Sequence, residues 1–275
     1  MNGENPLAKS LELLWDGLPE PEKGPKPKLT LEQIVSAGVE LADSEGIDAL
    51  SMRRLATDLG VGTMSLYRYV PSKTELLNLM LDAVVGPSAA RMTAPHRGWR
   101  EFLTATAYEG RQLYLDHPWA IQTNWSLPVL GPNSVADLEL FMSGLAELPL
   151  SDREKMNLAT GLDSYVLGSA RQELLWQSAA AESDLSSEEF WGHQLPTLER
   201  AMESGRFPMM AQLGEDTFDS DWAESFDQGL QLFLDGLEGL VQRRGVSADM
   251  RTDTFSAAQG AVSTSSQRQF PRSAE

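Results

Sequence analysis

The chain of 275 residues contains no cysteine and only three histidines. Without cysteine, disulfides, thiolate-bound metals and cysteine nucleophiles are excluded. The histidines, His96, His117 and His193, form neither an HExxH nor an HxH pattern, so nothing indicates a zinc site. GxSxG, SxxK and GxxxxGK motifs are missing as well. We therefore expect no catalytic site, no metal and no cofactor, with an enzyme or a small-molecule-binding helical protein as the competing interpretation.

Long apolar runs are also missing. No stretch approaches the about 20 apolar residues of a membrane-spanning helix, and no basic segment followed by an apolar run opens the chain. Alternating apolar and polar runs with hairpin signals do not occur, which argues against strands. We expect a cytoplasmic all-α protein without a membrane partner.

The net charge of −18 is distributed unevenly. Residues 23–86 carry seven cations and eight anions, whereas residues 87–245 carry 11 cations and 24 anions. The attraction of phosphates falls off over roughly 8–10 Å at physiological salt. An acidic second region therefore does not exclude a local cationic surface for DNA in the first.

Turn residues and apolar periodicity divide the chain into four parts. Residues 1–28 are predicted to be a flexible arm, because Pro19, Pro21, Pro25 and Pro27 oppose a helix, although the leucines near Trp15 could form one apolar stripe. Its cationic stretch is either a solubilising tail or an arm that follows phosphates. A head over 29–86 and a helical body over 87–245 follow, and a Ser/Thr/Gln/Ala-rich tail over 246–275 is expected to be disordered.

The head contains four helix starts and one tight turn. Thr30 and Gln33 form a capping box, and Ser51 and Ser72 are placed to cap later helices. Gly60 supplies a turn between two short helices. Two short helices joined by such a turn are typical of a helix-turn-helix.

The second short helix, 62–70, assigns Leu66 and Val70 to the core and leaves many groups that can touch DNA. Ser or Thr hydroxyls can bond base edges, a methionine can contact a thymine methyl, and Arg68 can bind guanine. Tyr67 and Tyr69 are phosphate donors or packing residues. The predicted DNA-binding residues are Arg53, Arg54, Thr63, Met64, Ser65, Tyr67, Arg68, Tyr69 and Lys73.

This segment resembles the TetR/AcrR family of transcriptional regulators. The resemblance rests on Ser51-Met-Arg-Arg-Leu-Ala56, Leu59-Gly-Val61, Leu66-Tyr-Arg-Tyr-Val70 and Ser72-Lys-Thr-Glu-Leu76. It implies a three-helix DNA-binding head on an all-helical ligand-binding and dimerisation bundle. It also implies that an operator in double-stranded DNA is contacted by Thr63, Met64, Ser65, Tyr67, Arg68, Tyr69 and Lys73. Val70 stands where many relatives carry phenylalanine.

Helical spacing in the body predicts helices over 99–116, 133–148, 152–181, 187–204 and 219–243. The last of these resembles the closing helix of the tetracycline-type C-terminal domain. That resemblance implies a homodimer formed through the 152–181 and 219–243 helices. A purely intramolecular core is the alternative.

The resemblance further implies a pocket for a small-molecule effector in each body. The candidate lining residues are Tyr108, Arg111, Gln112, Asn124, Trp125, Phe141, Met142, Tyr165, Gln172 and Trp176. Each is equally suited to the core of a bundle. The acidic body suggests either a cationic amphiphile as effector or a solvated surface. The resulting hypothesis is a ligand-responsive, homodimeric repressor.

Overall fold

The computed structural model describes residues 6–18, 29–93, 97–123, 129–182, 187–214, 217 and 221–263. Within these ranges it contains α-helices and short 3-10 turns but no strand, so the predicted all-α class is confirmed. The α-helices are α1 (Pro6–Trp15), α2 (Leu31–Glu45), α3 (Met52–Asp58), α4 (Thr63–Leu66), α5 (Lys73–Val85), α6 (Ala89–Thr93), α7 (Trp99–Asp116), α8 (Pro132–Gly144), α9 (Asp152–Glu182), α10 (Ser187–Glu203) and α11 (Trp222–Ser263). None of the described helices is both long and apolar enough to cross a bilayer.

Side-chain caps set the starts of the head helices. The Thr30 hydroxyl accepts from the Gln33 amide while the Gln33 side chain accepts from the Thr30 amide, which completes the predicted capping box. The Ser51 hydroxyl accepts from the Arg54 amide at 3.2 Å and so starts α3. Gly60 has a φ of 66°, the left-handed conformation that the turn between α3 and α4 requires.

The head is held by one apolar core. Ile34, Leu55, Leu66, Leu76 and Met80 are fully buried where α2, α3, α4 and α5 meet. Val70 is also fully buried, so the smaller side chain at this position packs inside the head. The core therefore turns the other side of the 63–69 segment outward.

The prediction of a flexible arm over 1–28 is corrected for part of its length. Residues Pro6–Trp15 form α1, which packs along α5 and buries Leu13 to 2% exposure. The Asn78 amide donates to the Ser10 hydroxyl at 2.9 Å, and the Trp15 indole donates to the Leu130 carbonyl at 3.0 Å. The prolines that argued against a helix all follow α1, and the cationic stretch 23–28 lies outside the described residues.

The body is built around the packing of α7 on α9, with α11 alongside. Phe102 and Leu103 of α7, Leu162 of α9, and Phe226 and Leu230 of α11 are buried in it. A Cβ at Gly144 would overlap the Phe102 ring, and a Cβ at Gly229 would overlap the Tyr165 side chain. Close helix approach therefore requires glycine at both positions.

The last helix extends beyond its predicted end. It was expected to stop near Arg243, with a disordered tail from 246, but α11 continues to Ser263. Residues 246–263 contain no proline, and their polar composition alone did not end the helix. The remaining residues, 264–275, lie outside the described part of the chain.

Candidate DNA-binding surface and ligand cavity

The outward side of the 63–69 segment forms the candidate DNA-binding surface. Its α-helix spans only Thr63–Leu66, shorter than the predicted 62–70, and turns continue to Tyr69. Met64 is 75% exposed and Tyr67 is 40% exposed, whereas Leu66 is fully buried. Ser65 and Arg68 are exposed beside them, and Thr63 is half-buried. Hydroxyl, thioether and guanidinium groups thus share one accessible face.

The flanking candidates differ in how far they are available to a partner. Arg53 is exposed on α3, whereas Arg54 bonds Glu45 at 2.8 Å and Asp58 at 3.0 Å. The hydrogen bonds to these carboxylates raise the pKa of Arg54. This guanidinium therefore stabilises the α2–α3 junction, a role that the sequence pattern did not indicate.

The two candidates that follow the face also contact the head itself. The Lys73 ammonium donates to the Ile47 carbonyl at 3.1 Å, which leaves further donors on the same nitrogen. Tyr69 is half-buried and packs against the core of the head. Of the two roles considered for this tyrosine, its position favours packing.

A cavity of about 590 Å³ lies in the body between the end of α5 and helices α7, α8 and α9. Its apolar wall includes Leu113, Leu138, Phe141, Met156, Leu162 and Val166. Polar and charged lining groups are Arg91, Thr106, Glu109, Gln112, Tyr114, Asp116, His117, Ser134, Asp137, Thr160 and Asp163. An apolar wall with a few polar groups is the usual composition of a small-molecule site.

Three of the charged lining groups pair with one another. Arg91 is buried, pairs with Asp137, and lies 3.8 Å from Glu109. Burial lowers the pKa of Arg91. The Tyr114 hydroxyl donates to Asp163 Oδ1 at 3.0 Å. Burial raises the pKa of Tyr114. Burial also raises the pKa of Asp163, and the hydrogen bond from Tyr114 partly offsets this rise.

The cavity touches the head through two polar connections. His117 lines the cavity, and its Nδ1 lies 2.9 Å from Oδ1 of Asp43 on α2. The same oxygen accepts from the indole of buried Trp119 at 2.7 Å. On the other side, buried Asp82 of α5 accepts from the Ser134 amide at 2.9 Å at the start of α8. Two elements of the head are therefore fixed directly to the cavity wall.

Only some of the predicted effector-binding residues line the cavity. Gln112 and Phe141 line the cavity. Tyr108, Arg111 and Tyr165 instead surround the buried Phe226 ring, where Tyr165 stacks on it and the Arg111 guanidinium lies 5.3 Å above it. Trp176 packs near Trp222. The positions outside the cavity lining are Tyr108, Arg111, Met142, Tyr165, Gln172 and Trp176.

Two further candidates, Asn124 and Trp125, lie outside the described residues. Sequence patterns alone did not indicate Arg91, Tyr114 and Asp163 as lining residues. Tyr114 belongs to the helical spacing that predicts the 99–116 helix, and the sequence indicates His117, which lines the cavity, as either a helix-end residue or a pocket residue. The periodicity of α7 indicated which of its residues face the interior of the body. It did not distinguish residues packed in the core from residues that line a cavity.

A helix-turn-helix head with an exposed polar face, joined to a helical body with a cavity, defines the class of two-domain DNA-binding regulators. Sequence comparison agrees. Residues 34–80 match the family described as bacterial regulatory proteins, tetR family, and residues 92–241 match the tetracyclin repressor-like C-terminal domain. The chain belongs to the TetR family of bacterial transcriptional regulators.

Individual relatives extend the likeness over most of the chain. The HTH-type transcriptional repressor DrrR1 of Streptomyces coeruleorubidus is 49% identical over 248 residues, covering 90% of this chain and 92% of its own. Apo ActR of Streptomyces coelicolor superimposes with a TM-score of 0.62 at 27% identity, covering 80% of this chain and 100% of ActR. ActR in complex with actinorhodin gives a TM-score of 0.61 at 26% identity, covering 78% and 99%.

Proposed function

We propose that this regulator is a homodimeric repressor that leaves its operator when a small molecule occupies the cavity. One observation carries the proposal: the cavity wall and the head share structural elements. Val84, Val85 and Gly86 at the end of α5 line the cavity, and His117 connects the same cavity to Asp43 of the head. An occupant that moves these residues therefore changes the position of the helix-turn-helix.

The effector acts through a population shift. A ligand changes the ratio of DNA-competent and released conformations only as far as its affinities for the two differ. A shift from 1:99 to 99:1 requires a difference of about 5.5 kcal/mol. The ActR–actinorhodin complex supports a small organic molecule as the type of effector. Since its target is DNA, the proposal places the protein in the cytoplasm, and we expect no turnover of the effector.

On the DNA side, the exposed face of 63–69 reads the operator. Arg68 and Ser65 are placed for base edges, Met64 for a thymine methyl, and Tyr67 for a phosphate. Lys73 adds a phosphate contact through its free donors. Arg53 is exposed for the backbone, whereas Arg54 contributes by holding α2 against α3. Two heads spaced about one DNA turn (~34–36 Å) apart supply the affinity of the dimer.

The dimer forms through α9 and α11, which expose apolar and small residues on one side. Leu232 of α11 is 75% exposed, and a Cβ at Gly236, one turn later, would meet nothing within 4 Å. On α9, Leu175 is 58% exposed and Gly168 is similarly open. An exposed leucine beside open glycines suits the close approach of a second helix.

The dimer is tested with Leu232→Arg, which places a charge in the middle of this surface. We expect a monomer by light scattering at micromolar concentration, because an unpaired charge in an interface is strongly unfavourable. Met92→Arg is the matched control, since Met92 is 52% exposed on α6, outside both helices. A dimeric Leu232→Arg protein would rule out this interface.

Operator binding is tested by gel shift on the promoter next to the gene. Arg68→Ala should weaken binding by about 10- to 100-fold, as expected for the loss of a base contact. Arg153→Ala is the control, because Arg153 is exposed on α9 far along the chain from the head. Unchanged affinity for both Arg68→Ala and Tyr67→Ala would exclude the 63–69 face as the DNA-binding surface.

A further inference from the structure

Arg91 combines deep burial in the cavity wall with an unused hydrogen-bond donor. The residue lies on α6, lines the cavity and is 5% exposed. Nη2 of its guanidinium pairs with Asp137, and Nη1 lies 3.8 Å from Glu109. Its Nε, by contrast, is buried and has no hydrogen-bond partner among the residues that the structure describes. A buried N–H group without an acceptor is costly, so this donor favours a ligand that supplies one.

The other polar groups of the lining have less to gain from a ligand. Each lining hydroxyl donates to an acceptor of the protein: Thr106 to Phe102, Tyr114 to Asp163, Ser134 to Asp82 and Thr160 to Met156. Asp116 and Asp163 are exposed, so water can bond the oxygens that the protein leaves open. Because water cannot reach the Arg91 Nε, a ligand acceptor at this atom replaces no existing hydrogen bond.

The positive charge of Arg91 is already balanced, which determines the kind of acceptor that suits its Nε. Asp137 and Glu109 place two carboxylates beside one guanidinium. An anionic ligand at Nε would lie close to both carboxylates, and like charges repel each other. A carbonyl oxygen supplies the missing lone pair without adding a charge. The surroundings of Arg91 therefore favour a neutral acceptor.

Access to the Nε links this contact to the position of the head. The atom is closed to water in this conformation, so a ligand oxygen reaches it only when Arg91 turns or α6 shifts. Residues 86–88 join α5 to α6, and Val85 and Gly86 at this link also line the cavity. A ligand bonded to Nε thus favours a conformation in which the link has moved. Such a difference in affinity between conformations is what operator release requires.

We propose that the effector is a neutral aromatic ketone whose carbonyl oxygen accepts a hydrogen bond from the Arg91 Nε. Its rings pack on the apolar wall, where Phe141 lies one helical turn after Asp137 on α8 and Met156 lines the same cavity. This inference rests on the proposed function in that it takes the same cavity as the effector site. It adds the chemical class of the ligand and the group that recognises it.

The test uses the full-length protein without DNA and ligands that differ at one position of the same ring system. Equilibrium dialysis compares 9-fluorenone with fluorene, which lacks the oxygen, with 9-aminofluorene and with fluorene-9-carboxylate. Xanthone and xanthene repeat the comparison on a wider ring system. We expect each ketone to bind at least about tenfold more tightly than its hydrocarbon partner, because only the ketone satisfies the buried donor. Equal binding of ketone and partner, tighter binding of either charged analogue, or no binding of either ketone would overturn the proposal.

Arg91→Lys keeps a positive charge between Asp137 and Glu109 but removes the Nε donor. It should reduce the ketone preference to less than about twofold while fluorene affinity stays within about twofold. Arg111→Lys is the matched control, since Arg111 is also ion-paired, to Glu173 at 2.6 Å, and its Nε is likewise buried without a partner. Arg111 does not line the cavity, so this variant should keep the preference. An unchanged preference in Arg91→Lys would overturn the proposal.

Nitrogen-15 NMR of arginine-labelled wild-type protein observes the donor itself and stands even if Arg91→Lys fails to fold. One Nε–H resonance should move downfield when fluorenone binds and stay in place when fluorene binds, because only the ketone accepts from it. Its absence from the Arg91→Lys spectrum assigns the resonance. If no Nε–H resonance responds to the ketone alone, the proposed hydrogen bond does not form.

A gel shift of the wild type separates this inference from the regulator proposal. Fluorenone should release the operator, whereas fluorene at the same concentration should leave it bound. If the wild type fails to bind the operator at all, the regulator proposal fails whatever the dialysis shows. If the operator is bound and the ketone preference is missing, only the ligand class is wrong. If fluorenone binds with the preference but leaves the operator bound, the ketone is not an effector and this inference fails.

Discussion

Replacing Asp82 with alanine is expected to destabilise the junction between head and body. Asp82 is 3% exposed on α5 and takes the place of a capping side chain for α8, whose own N-cap is Gly131. Its carboxylate accepts from the Ser134 amide at 2.9 Å, the Ser134 hydroxyl at 2.7 Å and the Asn133 amide at 3.3 Å. A Cβ at residue 131 would overlap this carboxylate, so the glycine is needed for the contact.

The magnitude follows from the bonds that are lost. A hydrogen bond to a charged group is worth about 1.5–3 kcal/mol, and loss of a helix cap costs about 0.5–2 kcal/mol. The three bonds share one carboxylate and are not additive, and water reaches the exposed side of Asn133 after the change. We therefore expect Asp82→Ala to lower the free energy of unfolding by about 3 kcal/mol. Asp82→Asn keeps one acceptor and should lose about half as much.

The assay is urea unfolding followed by circular dichroism at 222 nm, at one fixed protein concentration because dimerisation contributes to stability. The exposed Asp48→Ala is the control and should change stability by less than about 0.5 kcal/mol. If Asp82→Ala were no less stable than Asp48→Ala, the carboxylate would not be holding α8, and the argument for a fixed head–body junction would fail.

Three further changes test other parts of the structure. Leu13→Ala should lower the free energy of unfolding by about 2–4 kcal/mol, because Leu13 is buried where α1 packs on α5. Leu7→Ala is the control and should not lower it, since Leu7 is 49% exposed. Equal denaturation midpoints for the two variants would contradict the packing of α1 on α5. Gly144→Ala should lower the melting temperature because its Cβ overlaps Phe102, whereas Gly192→Ala, with open space around it, should raise it; a stabilised Gly144→Ala would contradict the packing. Because the pKa of Asp163 is raised on folding, its contribution to stability is present below about pH 4 and lost as the pH rises through the folded value. Asp163→Asn should therefore melt higher than the wild type at pH 7, with the difference shrinking toward pH 4, and a constant difference would count against this titration.

Local signals predicted much of the head, because its helix starts depend on nearby residues. The Thr30–Gln33 capping box, the Ser51 cap and the Gly60 turn involve side chains that bond within three residues or backbone angles that glycine adopts alone. The same signals did not show that Arg54 is held by Glu45, nine residues away. The number of cations in the head therefore exceeds the number that are free to contact DNA.

Helical periodicity between neighbouring residues predicted an all-helical protein, and the head motif added the resemblance to a family of transcriptional regulators. The packing of distant helices set three features that no local pattern indicated: α1 covers α5, Asp82 caps a helix 50 residues later, and Tyr114 bonds Asp163 at the cavity wall. Each of these contacts joins helices distant along the chain, and its geometry depends on how those helices pack. Residues that line a cavity and residues that fill a core have the same spacing within any one helix. The packing of the whole bundle therefore decides which of the two roles a polar residue takes.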